Sequence, residues 1–198
     1  MRLILVRHAL TAETGRKLSG RLGGVPLSAA GIEAAEATAR ALAVIDPVEI
    51  LTSPVERCRQ TAAAIGRPHR LTPKMQRAFA EVDYGAWSGR RLSELRRLAA
   101  WRELMAAPAR FRFPSGESLE EVRQRTVAAT EALAARHPDD TVILVTHADV
   151  IRCLVCHYLG MPLDLIHRLH VGPASLTEIH LGQGSVLVPA VNQRIVSP

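Results

Sequence analysis

The sequence predicts an α/β sheet protein, and three observations carry that reading. Short apolar runs alternate with longer helix-patterned stretches. Two of those runs, Leu3–Val6 and Val142–Val145, are apolar at every position, as strands covered on both faces are. Helix-capping signals stand before the longer stretches: Ser28 before one, and the box Ser118-Leu119-Glu120-Glu121 before another.

Along the chain, Leu3–Val6 is the first strand. Ser28 caps a helix predicted to run to about Val44, and Val48–Thr52 forms a second strand. Ser53-Pro54 opens the next helix, with proline at the first helical position, where its missing N–H does no harm. The capping box starts a helix that reaches about His137. Thr141–Thr146 is a third strand, and a helix from about Ala148 ends at Gly160, with Pro162 beyond. Ser175–Leu181 and Ser185–Val191 read as two closing strands joined by a glycine-containing turn. Residues 66–116 are less regular and hold both tryptophans. No linker, repeat or low-complexity tract divides the chain, so one domain over residues 1–198 is expected.

At 47% hydrophobic and 22% charged residues, the composition is that of a globular protein, not a fibre or a disordered tail. No apolar run approaches the ~20 residues of a membrane helix. Met1–Val6 is too short for a signal-peptide core, which makes the cytoplasm the expected compartment. The charge of +6 rests on 23 Arg and only Lys17 and Lys74. Arginine offers a planar donor fork suited to phosphate. Nucleic acid would call for a concentrated basic surface. Here the arginines are spread out, with short clusters at Arg90-Arg91 and Arg96-Arg97, so no nucleic-acid partner is expected. Cys58, Cys153 and Cys156 do not form a disulfide framework. Cys153-Leu154-Val155-Cys156-His157 matches a haem c attachment pattern. It also continues an apolar helical pattern, so packed thiols are the expected reading.

Three strands end in chemically pointed residues: Arg7-His8, Ser53-Pro54-Val55-Glu56-Arg57 and Thr146-His147. In open sheets, ligands bind beyond the carboxyl ends of the strands. If these strands are parallel neighbours, His8, Arg57 and His147 converge on one crevice. Arg57 then sits in the first turn of its helix, where free N–H groups favour an anion. Two imidazoles and two guanidiniums suit a doubly charged tetrahedral oxyanion. Imidazole is apt as nucleophile or acid near neutral pH. Hydroxyl or backbone donors of Thr11 and Thr14 could complete the oxygen contacts.

These residues resemble the histidine phosphatase superfamily (phosphoglycerate-mutase-like). Leu5-Val6-Arg7-His8-Ala9-Leu10-Thr11 resembles its Arg-His-Gly signature. Ser19-Gly20-Arg21 with Val25-Pro26-Leu27-Ser28 resembles the loop into the first helix, and Ser53–Arg57 with Gln60-Thr61-Ala62 a second phosphate-binding segment. Glu81–Gly89 resembles the segment carrying the acid, and Phe113-Pro114 with Gly116-Glu117-Ser118 the approach to the long helix. Thr146-His147-Ala148 resembles the second histidine motif.

The resemblance implies a three-layer αβα sandwich with a mostly parallel central sheet. It implies a phosphomonoester hydrolase acting on small anionic metabolites, or binding inorganic phosphate, with no metal and no cofactor. His8 would be the nucleophile and Glu81 the proton donor. Arg7, Arg57 and His147 would hold the phosphoryl oxygens, with Thr14 and Ala148 as further phosphate contacts. Thr11, Gly20 and Arg21 would meet the rest of the substrate, and residues 66–116 would form a substrate cap. Homodimers are common in the family. The branch it is most similar to is that of small bacterial phosphatases, among them α-ribazole, phosphoserine and broad-specificity types. Two alternatives stand beside hydrolysis: a phosphoglycerate-mutase-type phosphotransferase and a non-catalytic phospholigand-binding module. Ala9 and Ala148 replace the usual glycines, and ordinary backbone dihedrals are expected at both. Glu13 is a rival acid, Arg59 is expected to be solvated or paired, and Tyr84 and Trp87 are expected in the core.

Overall fold

The structure, a computed structural model, describes residues 1–195. Its strands are β1 (Arg2–Arg7), β2 (Glu49–Thr52), β3 (Lys74–Met75), β4 (Thr141–Thr146), β5 (Leu176–Leu181) and β6 (Val186–Gln193). They form one sheet in the order β3-β2-β4-β1-β5-β6. β3, β2, β4 and β1 run parallel, and β5 is antiparallel to both β1 and β6. Helices α1 (Ala29–Leu42), α2 (Glu56–His69), α3 (Leu92–Leu95), α4 (Ala99–Ala106), α5 (Leu119–Arg136) and α6 (Ala148–Tyr158) complete the fold.

Alternate side chains of a strand point to opposite faces. Leu3 and Leu5 of β1 pack in a core with residues of α5 and α6, such as Val122, Leu133, Ile151 and Leu154. Ile4 and Val6 pack in the other core with Ala35 and Ala39 of α1 and Ala62 and Ile65 of α2. Both faces are covered, which is why the strand sequences are apolar without alternation.

The capping signals act as read. Ser28 Oγ accepts the Gly31 N–H at 3.1 Å. Ser118 and Glu121 form the reciprocal capping box. The proline reading needs correction: Val55 is the N-cap and α2 starts at Glu56, so Pro54 lies just outside the helix. The extended conformation of Val55 starts the helix two residues later than Ser-Pro alone suggests. Helix α2 also continues past Gly66 to His69, into the stretch expected to be irregular.

The segment carrying Glu81 is pinned by close backbone contact. A Cβ on Gly85 would lie 2.1 Å from the Pro114 carbonyl oxygen, and one on Gly116 would lie 2.3 Å from that of Asp83. Only glycine allows these two pieces to meet. Trp87 anchors the same segment, stacking on Trp101 at 6.0 Å and packing edge-on to Phe113 at 5.5 Å. Cys58, Cys153 and Cys156 are free and buried, the latter two as packed thiols of α6. No helix among the described residues is long and apolar enough to cross a membrane.

Candidate active site

Parallel register brings the three chemical motifs together. Arg7 at the end of β1 lies opposite Thr146 at the end of β4, and Thr52 of β2 lies opposite Val145. Because β4 sits between β1 and β2, His147 emerges between His8 and Ser53. The His8 and His147 rings meet edge to face, with centroids 5.3 Å apart.

Partners that can play only one role fix both tautomers. His8 Nδ1 lies 2.8 Å from the Ala9 carbonyl, which can only accept, so Nδ1 carries the proton. Nε2 is then a lone pair, and Arg57 Nε–H donates to it at 3.1 Å. Arg57 Nη2 donates to His147 Nδ1 at 3.2 Å, so His147 carries its proton on Nε2, 2.7 Å from Ser53 Oγ. Burial, reinforced by the Arg57 charge, holds both imidazoles well below their ordinary pKa, and both rings are neutral.

The cavity beside them is about 250 Å³. Arg7, His8, Thr14, Arg57, Glu81 and Ala148 are among its lining residues. Arg7 Nη1 donates to the Val171 carbonyl at 2.6 Å, and Arg57 Nη2 also donates to that of Gly20 at 2.8 Å. Arg7 Nε and Arg57 Nη1 are buried and have no hydrogen-bond partner among the described residues. Buried, unpaired guanidinium N–H groups are costly unless an anion takes them up. Ala148 opens α6, which puts the positive end of that helix at the cavity.

Glu81 Oε2 lies 3.5 Å from His147 Nδ1. Burial, with the Asp149 carboxylate adding to it, pushes Glu81 up to about 7. Its backbone carbonyl is held by Arg21 Nε at 2.8 Å and Arg125 Nη2 at 3.2 Å. Glu13, the rival acid, is bound to Lys17 and Ser19 Oγ, and these hold it below the usual carboxylate range. It does not line the cavity.

Other expected residues fall less simply. Thr11 and Thr14 line the cavity, but their hydroxyls lie 3.0 Å from each other and brace their own turn. Gly20 lines it too, with its carbonyl taken by Arg57. Arg21, expected at the substrate, is outside the lining. Its guanidinium is drawn instead to Glu81 O and to Glu117 Oε2, the latter at 2.8 Å. Arg59 is exposed, as expected. Ala9 and Ala148 are absent from the residues with positive φ, so the missing glycines cause no strain there.

Tyr84 is buried as expected, yet it also lines the cavity, and its hydroxyl donates to Asp149 Oδ2 at 2.7 Å. The sequence reading missed Asp149 and its ion pair with Arg152 at 2.9 Å. It also missed Ser53 as the partner of His147. The spacing of Asp149 and Arg152 on a helix that starts beside His147 was the available signal.

Comparison with known proteins agrees with this geometry. Residues 3–194 match the family profile of the histidine phosphatase superfamily (branch 1). The chain is 29% identical to phosphoserine phosphatase 1 of Hydrogenobacter thermophilus, over 97% of this chain and 92% of that one. It is 28% identical to a protein of Proteus mirabilis named "Probable phosphoglycerate mutase", over 90% and 84% of the two chains. The structure of a mycobacterial glucosyl-3-phosphoglycerate phosphatase in complex with inorganic phosphate superposes with a TM-score of 0.87 at 26% identity, covering 99% of each chain. The chain belongs to the histidine phosphatase superfamily.

Proposed function

We propose that this chain hydrolyses phosphate monoesters of small anionic metabolites through a phosphohistidine formed on His8. The observation that carries the reading is the neutral His8 ring, with its Nε2 lone pair beside Arg57 in a cavity lined by unpaired guanidinium N–H groups. Phosphatases among the named relatives support it.

In this mechanism the phosphoryl dianion takes up Arg7 Nε and Arg57 Nη1. The Arg57 Nε–H turns from His8 to a phosphoryl oxygen and frees the nucleophile. His8 Nε2 forms a bond to phosphorus as the ester P–O bond breaks. Glu81, raised to about 7 and so about half protonated at neutral pH, gives its proton to the leaving alcohol. Water then attacks the phosphohistidine, Glu81 takes the proton of that water, and phosphate leaves. The positive groups stabilise charge on the equatorial oxygens, which is most of what phosphoryl transfer requires. Three free, buried thiols fit a reducing compartment, and we place the protein in the cytoplasm on that ground.

A phosphomonoester panel with His8→Ala as control tests the proposal. The variant should lose at least ~10³-fold in kcat, and ³²P should label wild type but not the variant. Near-normal turnover by the variant refutes it. With 3-phosphoglycerate and a bisphosphate primer, isomerisation faster than phosphate release would favour the mutase instead.

A further inference from the structure

We propose that Arg125 of α5 is a positioning residue for the reaction: held by Glu117, it fixes the backbone that carries Glu81 and so places the acid at the leaving oxygen. The inference rests on the phosphatase reading above. Neither Arg125 nor Glu117 lines the catalytic cavity, so both act through Glu81 and not on the substrate.

The need for such a clamp follows from the local structure. Residues 80–84 belong to no helix or strand, yet Ala80, Glu81, Val82 and Tyr84 are buried. Buried backbone carbonyls need partners, and this stretch has no sheet ladder or helical turn to supply them. Side chains supply them instead. Arg125 Nη1 donates to the Ala78 carbonyl at 2.5 Å, and Nη2 donates to those of Ala80 at 2.9 Å and Glu81 at 3.2 Å. Thr146 Oγ1 takes the intervening Phe79 carbonyl at 2.8 Å. One guanidinium therefore serves three carbonyls on the approach to the acid.

Glu117 holds the clamp in turn. Its Oε1 accepts the Arg125 Nε–H at 3.2 Å, and Oε2 accepts Nη2 at 3.1 Å. Oε2 also accepts the Asp83 N–H at 3.1 Å, so the pair grips the chain on both sides of Glu81. A planar fork meets several acceptors at fixed angles, which an ammonium on a flexible stem does not. Arg21 shares the Glu81 carbonyl but is more exposed, at 39% against 21% for Arg125. The acid depends on this backbone because little else holds its carboxyl group. Among the described residues, its side chain makes one hydrogen bond, from the adjacent Val82 N–H at 3.0 Å. The place of the carboxyl group therefore follows the place of the main chain, and a shift of about 1 Å can cost about 10²-fold in rate.

The test sets Arg125→Met and Arg125→Lys beside wild type on an alkyl phosphate and on p-nitrophenyl phosphate, with inorganic phosphate as competitive inhibitor. Arg125→Met should lose at least about tenfold more kcat/KM on the alkyl ester, whose leaving group needs the proton, than on p-nitrophenyl phosphate. Inhibition by phosphate should hardly change, and Arg125→Lys should recover part of the loss. In a Glu81→Gln background, Arg125→Met should add less than about threefold on the alkyl ester, because the acid is already gone. Equal losses on both esters would mean that Arg125 acts on the fold, or by its charge on the phosphoryl group. That result, or losses that multiply in the double variant, overturns the proposal and leaves the phosphatase reading intact. Should Arg125→Met fail to fold, Arg125→Lys decides alone: a larger loss on the alkyl ester supports the clamp, and an even loss or none overturns it. No wild-type turnover of either ester overturns both readings.

Discussion

Replacing Glu81 with glutamine separates proton donation from the other contributions of the site. Glutamine keeps the side-chain shape and an oxygen for the Val82 N–H, which Glu81 Oε1 now accepts at 3.0 Å. It has no acidic proton to give. A positioned general acid contributes about 10²–10⁴-fold, and the benefit grows with the basicity of the leaving oxygen. An alkyl alkoxide needs the proton, whereas p-nitrophenolate leaves nearly unaided. Because kcat/KM covers only the steps through phosphorylation of His8, slow hydrolysis of the phosphoenzyme does not mask the effect. Glu81→Gln should therefore lose about 10²–10⁴-fold in kcat/KM on an alkyl phosphate and less than about tenfold on p-nitrophenyl phosphate. The pH profile gives a second readout. With Glu81 near 7, its protonated fraction is about 0.9 at pH 6 and about 0.1 at pH 8. Once substrate ionisation is corrected for, wild-type kcat/KM on the alkyl ester should fall about tenfold across that interval, and the variant should be flat. Equal losses on both esters, or a wild-type profile with no fall, would refute Glu81 as the acid.

The same residue should weaken the fold as pH rises. Its folded pKa lies above the ordinary carboxylate value, so the native state holds the proton more tightly, and stability is lost from about pH 4.5 up through about 7. Thermal melts should show Glu81→Gln above wild type in Tm at pH 8 and nearly level with it at pH 5; no gain at pH 8 rejects burial as the cause. Ser53→Ala removes the acceptor of the buried His147 Nε2–H at 2.7 Å, so a cost of about 1–3 kcal/mol in unfolding free energy is expected, with kcat/KM down at least about tenfold and Ser53→Thr recovering much of both. Wild-type kinetics in the alanine variant would show that this contact does not orient the ring. Gly31→Ala places a Cβ 2.0 Å from the Leu10 carbonyl oxygen, two residues beyond His8. Denaturant titration should show a loss of about 1–3 kcal/mol or more, and an unchanged midpoint would mean that α1 shifts freely.

The sequence by itself determined the elements whose causes are local. A strand covered on both faces needs apolar side chains at every position, so β1 and β4 were legible as Leu3–Val6 and Val142–Val145. The Ser118 box was legible because its bonds close within one helical turn. The motifs around His8, Arg57 and His147 were legible as well, because chemistry restricts which side chains serve at strand ends. Only the tertiary structure decided what those side chains meet. Arg57 and His8 are 49 residues apart in the chain, and Ser53 and His147 are 94 apart. No local pattern encodes the register that joins them. Arg21 was read as a substrate contact, but it braces Glu81 from behind, because two carboxylates and a carbonyl from other segments draw its guanidinium there. Tyr84 and Asp149 became a cavity wall in the same way. The acidity of Glu81 is likewise a property of its surroundings: burial among groups from several segments sets it, and burial exists only once the chain has folded.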